Sequence, residues 1–378
     1  MEMDWRARGL FLFYNVYMKL LIADTIFPRG HHCLNKHLLK ILLQNDEITD
    51  IKVLNYHDYY VRCSNKMRSY DIAFLFKNKS AYIDYICQFL NSLLLMFRCI
   101  GIQYDKVLFF TFDTLSLSFL RLGFFKPIYL FHHNNTDHLL NKYKLKVFKT
   151  YMNKVNHIVF ADFIKDYLIS LGVDSNRIFV VSHPLPTSAL VSKEIDIVSE
   201  DSVYIALGHA NDERIIDNLI EYEKQEHRLE KNNIHLVLRS QKEYDKLPPS
   251  IDIVTDFLDE EQYRYYYKVA KGILILYPDC FKYRFSGALL DAFVARKKII
   301  GRNIPIIQHY ARKYSSCCIF FDEVEDLVMK LITDKMGADI DERIYDSFLK
   351  THSDEVITSQ LNLSLIHISE PTRLDVIS

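Results

Sequence analysis

Residues 272–301, GILILYPDCFKYRFSGALLDAFVARKKIIG, form the stretch that decides the fold. Residues 273–277 are continuously apolar, which is typical of a strand buried on both faces of a parallel sheet. Ser286 is a good N-cap, and apolar residues recur behind it at helical spacing, so a helix is expected to begin there. Residues 298–301 predict the next strand. The stretch therefore predicts strand, loop, helix and strand, which is one unit of an α/β domain.

The loop and helix start of this unit predict a binding site for an anion. Open α/β sheets bind ligands beyond the carboxyl ends of their strands. The unused N–H groups and the dipole of a helix N-terminus favour phosphate. Ser286 and Gly287 let the backbone approach a ligand, and Arg284 adds a positive charge beside them. Asp291, one turn into the helix, is placed to accept hydrogen bonds from sugar or ribose hydroxyls.

These residues resemble the donor-binding segment of GT-B-fold glycosyltransferases, which use nucleotide-sugars. Many members carry two acidic residues with seven residues between them, the second on a helix that ends in small residues before a strand. Asp291 matches the second position, whereas Tyr283 stands at the first, so the resemblance does not imply a retaining mechanism. The string SGALLDA is also similar to sugar transferases of bacterial surface-polysaccharide clusters. The alternative is an unliganded unit of another α/β protein.

Length and composition bound the class of protein. The 378 residues are enough for two domains, and 49% hydrophobic with 25% charged residues is ordinary for a globular protein. The seven cysteines form no CxxC pair and no zinc-type cluster with histidine, which predicts reduced thiols. Residues 81–100 are very apolar, but their polar residues fall on one helical stripe. A packed or amphipathic helix is therefore expected rather than a membrane span.

Charge is distributed unevenly along the chain. Residues 1–185 hold 23 Lys and Arg against 15 Asp and Glu, whereas residues 186–378 hold 24 against 33. The basic half would suit anionic lipid or a diphosphate-linked substrate, with solvated surface charge as the alternative. Its densest basic segment, residues 142–154, accompanies no nucleic-acid-binding motif, so no nucleic-acid partner is expected.

The alternation of strands and helices, interrupted once, predicts six segments. Residues 1–17 are a probable non-native extension, because their apolar run is short and no cleavage site follows. The string LSLIHISEPTR near the end resembles a translated sequencing-library adapter. The other segments are an acceptor-side Rossmann-like domain at 18–185, a linker at 186–202, a nucleotide-sugar-binding Rossmann-like domain at 203–335, a helix crossing back at 336–361, and a probable artefactual tail at 362–378.

Two sites of the first domain face the cleft if the resemblance holds. Gly30 and His31, after the first strand, resemble the glycine-containing loop that GT-B enzymes point towards the acceptor. His132 and His133 end the strand predicted at 127–131, where many members place a histidine against the donor sugar. Neighbouring residues of a strand point to opposite faces, so only one of the pair is expected to reach the cleft. Surface or core histidines are the alternative.

Two strand ends of the second domain complete the predicted donor site. Gly208 and His209 follow the strand that begins near residue 203, where this fold commonly binds diphosphate, although members often carry Gly-Arg there. Arg239 and Ser240 follow the strand at 234–238, and an arginine there can pair with pyrophosphate. Further strands are expected at residues 71–76 and 304–307, and a terminal helix at 339–350.

The sequence thus predicts an α/β protein with two Rossmann-like domains facing a cleft. The resemblance implies a metal-independent glycosyltransferase without a cofactor, moving sugar from a nucleotide-sugar to a lipid-linked saccharide in bacterial surface-polysaccharide assembly. A cytoplasmic protein at the inner face of the plasma membrane is expected, with peripheral contact to anionic lipid through the basic domain. The alternatives are a sugar-nucleotide 2-epimerase of the same fold and a catalytically silent partner that binds a transferase or a glycan.

Overall fold

The computed structural model describes residues 18–24, 32–56, 60, 64–72, 81–186, 202–256, 258–335 and 341–365. Within these ranges the chain forms two parallel β-sheets, each packed between helices. The N-terminal segment, most of the expected linker and the loop that holds Gly30 and His31 lie outside the described residues.

The first sheet contains seven strands in the described part of the chain. They are β1 (Met18–Asp24), β2 (Ile48–Tyr56), β3 (Met67–Ile72), β4 (Lys106–Thr111), β5 (Ile128–Phe131), β6 (Asn156–Val159) and β7 (Ile178–Val180). All pair in parallel, in the order β3-β2-β1-β4-β5-β6-β7. The central strand β4 is buried along its whole length, because helices cover both faces of the sheet.

Helices connect these strands on the two faces of the sheet. They are α1 (His32–Gln44), α2 (Ala81–Arg98), α3 (Thr114–Leu120), α4 (Asn135–His138), α5 (Lys142–Lys149) and α6 (Asp162–Ser170). α1 buries Leu38, Leu39, Ile41 and Leu42 against one face. No helix of the described residues is long and apolar enough to cross a membrane, and this includes α2.

The second sheet has six strands among the described residues. They are β8 (Ser202–Ala206), β9 (Ile234–Arg239), β10 (Ile251–Val254), β11 (Gly272–Ile275), β12 (Lys298–Arg302) and β13 (Cys318–Phe321). They pair in parallel in the order β10-β9-β8-β11-β12-β13. The helices of this half are α7 (Glu213–Glu226), α8 (Arg228–Lys231), α9 (Glu260–Val269), α10 (Gly287–Val294), α11 (Pro305–Lys313), α12 (Val324–Lys335), α13 (Arg343–Thr351) and α14 (Asp354–Leu365).

Both sheets reverse their strand order at an internal point. The reversal falls between β1 and β4 in the first sheet and between β8 and β11 in the second. Such a point leaves a crevice at the carboxyl ends of the strands, because the helices on its two sides leave in opposite directions. The predicted fold class, two Rossmann-like domains, is confirmed.

One predicted strand is wrong in kind, and another begins earlier than predicted. Residues 304–307 begin helix α11, in which Pro305 occupies the first turn and Ile306, Ile307 and Tyr310 form the buried side. Proline at that position is already set for helical φ and would donate no hydrogen bond there. The third strand, predicted at 71–76, already begins at Met67 and pairs with β2; its described part ends at Ile72, and residues 73–76 lie outside the described ranges.

The last two helices divide between the domains. Phe348 of α13 stacks on Phe293 of α10 at 3.8 Å, so α13 belongs to the second domain. α14 buries Ile357, Leu361 and Leu365 in the core of the first. Within the segment predicted to cross back, residues 336–361, it is α14 that packs on the first domain, whereas α13 stays with the second. The last turn of α14 includes residues 362–365, which the sequence assigned to the tail; residues 366–378 lie outside the described ranges.

Candidate functional site

A cavity of about 210 Å³ lies between the two domains at the carboxyl edges of the sheets. The first domain contributes residues of α1 and of the segments that follow β5, β6 and β7, and the second contributes the start of α10. Three histidines, one carboxylate and an aromatic wall characterise the lining, in particular His37, His133, His183, Phe285, Gly287 and Asp291. The stretch at residues 272–301 therefore does form one wall of an interdomain cavity.

The N-terminus of α10 is built as the sequence predicted. Ser286 is the N-cap, and its hydroxyl oxygen accepts the N–H of Leu289 at 3.2 Å. That hydroxyl also lies 2.6 Å from the Tyr277 hydroxyl, so both groups are satisfied inside the protein. A Cβ atom added at Gly287 would meet nothing within 4 Å, and Gly287 lines the cavity. The first turn of α10 thus leaves open space for a ligand beside N–H groups that the helix itself does not use.

Asp291 lines the same cavity one turn further along α10. The hydroxyl of Tyr263, from α9, donates to its Oδ2 at 3.0 Å and lies 3.1 Å from the hydroxyl of Tyr267. Burial raises the pKa of Asp291 to about 6, and the hydrogen bond from Tyr263 opposes that rise. A carboxylate held in this way at neutral pH is a hydrogen-bond acceptor with restricted orientation.

The structure separates the two candidate catalytic histidines. His133 lines the cavity, and its Nε2 donates to the backbone oxygen of Phe110 at 2.9 Å. His132 lies behind it in the core, 1% exposed, with Nε2 at 2.8 Å from Nδ1 of His157. Burial, with His157 and His133 nearby, holds the pKa of His132 well below its usual range. His132 is therefore not placed to meet a ligand in this cavity.

Arg284 has a partner in the other domain. Its Nε donates to Oδ2 of Asp137, and its guanidinium lies over the Phe281 ring at 3.4 Å. Asp137 Oδ1 also accepts the backbone N–H groups of Lys282, at 3.0 Å, and Tyr283, at 2.6 Å. Both charged side chains are largely buried. The cation expected beside the phosphate site thus pairs with a carboxylate at the domain interface.

Aromatic contacts also hold the loop that contains Arg284 against the first domain. The Tyr283 ring stacks on Tyr167 of α6 with centroids 3.5 Å apart, and the Thr136 hydroxyl donates to the Tyr283 carbonyl. Phe285 stacks on His183 at 4.7 Å. We call residues 281–285, with Thr136, Asp137 and Tyr167, the interdomain clasp. Tyr283, which stands where many GT-B enzymes carry an acidic residue, thus packs against the first domain.

The other predicted donor residues follow the carboxyl edge of the second sheet, outside the wall of the cavity. Asn211 ties two strand ends together, since its Nδ2 donates to Ala206 at 2.7 Å and to Arg239 at 2.9 Å, both backbone oxygens. The Ser240 hydroxyl donates to Glu213 at 2.6 Å and is 2% exposed. Gly208 has ordinary clearance around its Cα. Ser240 therefore has a structural partner, and Gly208, His209 and Arg239 remain candidates along the edge.

Sequence reasoning missed several residues of this region. His37, on α1, lies 2.8 Å from Asp354 at the start of α14, and His183 follows the last strand of the first sheet. At the edge of the second sheet, Arg302 pairs with Asp212 at 3.2 Å and with Asp279 at 3.1 Å. Arg302 directly follows the strand predicted at residues 298–301, a signal that could have singled it out. His37 gave no such signal, because its partner is 317 residues away.

Asp24 ends β1, six residues before Gly30 in the sequence. Its carboxylate accepts hydrogen bonds from Tyr60 at 2.7 Å, from Asn35 at 3.1 Å, and from Thr111. Burial raises the pKa of Asp24 in spite of these three bonds. Among the described residues, no three His, Cys, Asp or Glu side chains are grouped as metal ligands would be.

Comparison with solved structures identifies the fold. WaaB, a lipopolysaccharide outer core galactosyltransferase in its apo form, is 14% identical over 93% of this chain and 99% of its own, with a TM-score of 0.61. HepE of Anabaena, in complex with UDP, is 11% identical over 92% of this chain and 99% of its own, with a TM-score of 0.64. A glycosyltransferase from Rickettsia africae is 11% identical over 92% and 97%, with a TM-score of 0.58.

No protein-family model and no curated protein matches the chain. At identities this low, likeness to solved structures shows the fold alone. That fold is GT-B, two Rossmann-like domains with their carboxyl edges turned towards a common cleft.

Proposed function

We propose that this protein is a glycosyltransferase that moves a sugar from a nucleotide-sugar to a saccharide acceptor. One observation carries the proposal: the start of α10 and Asp291 face His133 across a cavity between the domains. A phosphate-binding helix terminus and hydroxyl acceptors are thus brought to one place. These groups match those that a nucleotide-sugar would need, because it combines a diphosphate with hydroxyl-rich rings.

The donor is proposed to lie across α10 and the edge of the second sheet. The N–H groups at Ser286 and Gly287 would hold the diphosphate, and Asp291 would accept a hydroxyl of the ribose or the sugar. A cavity of about 210 Å³ falls below the ~300–1,000 Å³ of typical small-molecule sites. It would therefore hold the sugar portion, while the nucleotide extends past Gly208, His209 and Arg239. The structures of HepE with UDP and with UDP-glucose make uridine nucleotides the first to test.

The proposed chemistry rests on position and electrostatics. The acceptor hydroxyl oxygen would bond to the anomeric carbon as the bond from that carbon to the diphosphate oxygen breaks, and the hydroxyl proton would pass to the departing diphosphate. Helix N–H groups would stabilise the charge on the departing diphosphate, without a bound metal or a cofactor. His133 would face the reacting sugar. Arg284 would join the diphosphate only after it leaves Asp137, so the interdomain clasp would open during the cycle.

The acceptor is proposed to be a lipid-linked saccharide of bacterial surface-polysaccharide assembly. Gly30 and His31 are the candidates for contact with it on the first domain. The likeness in fold to a lipopolysaccharide galactosyltransferase supports this choice, and so does the basic first half of the chain. The proposal includes action in the cytoplasm, at the inner face of the membrane.

A catalytically silent binding protein is the second candidate. Two observations favour it: Arg284 is paired with Asp137, and Tyr283, at the position that is acidic in many GT-B enzymes, is stacked on Tyr167. A 2-epimerase of the same fold would share the donor site but require no acceptor. Dependence of turnover on acceptor separates the transferase from the epimerase.

The deciding experiment measures the thermal midpoint of the full chain with a panel of nucleoside diphosphates. A ligand that binds only the folded state raises the midpoint by mass action. We expect a rise with one nucleotide, and a rise at least threefold smaller in Asp291→Asn or in a variant with Gly287→Val, which fills the open space at α10. A panel that leaves the midpoint of the folded protein unmoved would favour the silent binding protein.

A further inference from the structure

The first domain carries an exposed apolar surface outside the cavity. Nine large apolar side chains between residues 86 and 125 are 36–95% exposed. They are Ile86, Phe89, Leu90, Leu94, Phe97, Ile100, Phe119, Leu122 and Phe125, and we call them the apolar face. Single exposed apolar residues are common on proteins, whereas a cluster of this kind marks an interaction site.

Contacts join the elements that carry these nine residues. The rings of Phe89 on α2 and Phe119 on α3 meet edge to face with centroids 5.7 Å apart. The short 3-10 helix Arg121–Gly123 lies against the end of α2, since a Cβ atom at Gly123 would come within 2.3 Å of the Met96 side chain. The end of α2, α3 and this turn therefore present their apolar side chains together.

The surroundings of the apolar face are basic. Residues 86–154 contain nine Lys and Arg against three Asp and Glu. Two of these twelve residues are buried: Lys106, which donates to the Leu365 backbone oxygen, and Asp137, which pairs with Arg284. Helix α5 packs against α3 and exposes Lys142, Lys146 and Lys149. An apolar surface with flanking lysines has the composition of a protein face that lies in the headgroup region of an anionic membrane.

A second copy of the chain is a weaker occupant for this surface. A twofold contact would place the same patch on both subunits, so the lysines of one copy would face those of the other. A head-to-tail contact with the acidic second half would not close into a dimer. An anionic bilayer satisfies the apolar residues and the lysines at the same time.

We propose that the apolar face, with the lysines of α5, docks the protein onto the surface of an anionic lipid bilayer. Aromatic and aliphatic side chains would enter the interface, and the lysines would lie at the level of the headgroups. This inference concerns a surface separate from the donor site, and it stands whether or not the chain transfers sugar.

Docking would also orient the cavity. α3 begins directly after β4, where the side chain of Asp113 caps the helix. From the cavity side, His133 and Asn135 donate to the backbone oxygens of Phe110 and Phe112 at the end of the same strand. The apolar face and the cavity thus share the carboxyl end of β4. This consequence rests on the proposed function: a lipid-linked acceptor would reach the cavity from the membrane side.

The test is sedimentation of the full chain with lipid vesicles. Vesicles of phosphatidylcholine and phosphatidylglycerol in equal parts are expected to bind it, and vesicles of phosphatidylcholine alone to bind it about tenfold less or weaker. The Ile100→Ser/Phe125→Ser variant should lose about tenfold or more in partition coefficient. The Lys142→Gln/Lys146→Gln/Lys149→Gln variant should lose about fivefold per lysine.

A matched control is available on the second domain. Tyr265 and Met329 are 56% and 48% exposed, and the Tyr265→Ser/Met329→Ser variant should bind vesicles as the unmodified protein does. Folding of every variant is checked by its thermal midpoint. Docking is refuted by equal sedimentation of the Ile100→Ser/Phe125→Ser variant, by equal binding to both vesicle types, or by a dimer in solution that this variant dissociates. Nucleotide-induced shifts in the same preparations test the donor site independently.

Discussion

At the scale of the residue, the environment of Asp291 sets its chemistry. The carboxylate lies at a cavity wall, accepts one hydrogen bond from Tyr263 and has a pKa of about 6. Partial burial destabilises the charged form of the carboxylate, and the single hydrogen bond from Tyr263 offsets only part of that effect. A ligand hydroxyl that donates to Asp291 would supply a further bond. The Asp291 carboxylate would therefore accept more hydrogen bonds with a ligand bound than without one.

We predict that Asp291→Asn stabilises the protein at neutral pH. The folded pKa, about 6, lies above the unfolded value of ~3.8. The folded state therefore binds more protons between these values, and stability falls as pH rises through that window. Asparagine carries no charge and does not lose this stability. The free energy of unfolding of the variant should therefore be higher than that of the unmodified protein by about 1–3 kcal/mol above pH ~6 and equal to it below pH ~3.8. Chemical denaturation across the pH range measures the difference.

Asp212→Asn supplies a control of opposite sign. The hydrogen bond from Arg214 holds the pKa of Asp212 below its usual range, so ionisation stabilises the fold there. This variant should lose stability at neutral pH, and the loss should disappear in acid. A difference for Asp291→Asn that does not depend on pH would contradict the account of its burial.

At the scale of the element, the interdomain clasp couples a loop of the second domain to α4 and α6 of the first. The loop is polar and aromatic in sequence, which does not indicate where it packs. In the structure Asp137 accepts three hydrogen bonds from it, from Lys282, Tyr283 and Arg284. The loop that precedes α10 is thus positioned by the other domain.

We predict that Asp137 and Arg284 are energetically coupled. Arg284→Ala should lower the free energy of unfolding by about 3–5 kcal/mol, because it leaves a buried carboxylate without its cation. Asp137→Asn/Arg284→Ala should recover part of that loss, since no uncompensated charge remains. A double-mutant cycle by chemical denaturation measures the coupling. Additive losses would show that the two side chains do not interact.

At the scale of the whole molecule, the chain passes between the domains more than once. It leaves the first domain after β7, builds the second, and returns through α14, whose buried residues join the first core. The pair formed by His37 and Asp354 ties the start of α14 to α1 beside the cavity. The cavity wall on this side thus depends on residues from the beginning and the end of the described chain.

We predict that Leu361→Ala destabilises the protein by about 2–5 kcal/mol, as expected for a fully buried leucine. Leu361 is 1% exposed, whereas Leu363 on the same helix is 59% exposed. Leu363→Ala is therefore the matched control and should change stability by less than about 0.5 kcal/mol. Chemical denaturation followed by circular dichroism compares the two. Equal effects of the two substitutions would mean that α14 does not pack on the first domain.

The sequence by itself determined the elements whose signals are local. Continuous apolar runs predicted the buried parallel strands, and the Ser286 cap with its helical spacing placed Asp291 on α10. Alternation along a strand also predicted that one of His132 and His133 would face the cleft. These patterns depend on a few neighbouring residues, so they can be recognised without the fold. The strand predicted at residues 304–307 was wrong for a related reason, because a short apolar run is equally typical of a strand and of a helix.

Only the tertiary structure decided the contacts between distant residues. It selected His133 over His132, paired Arg284 with Asp137 across 147 residues, stacked Tyr283 on Tyr167, and brought Tyr263 to Asp291. The physical reason is that a charge or ring in a loop can be satisfied by solvent, by a ligand or by another domain. Local sequence carries no information about which of these partners is present. The candidate site was therefore predictable in its place along the chain, and its chemistry was set by the packing of the two domains.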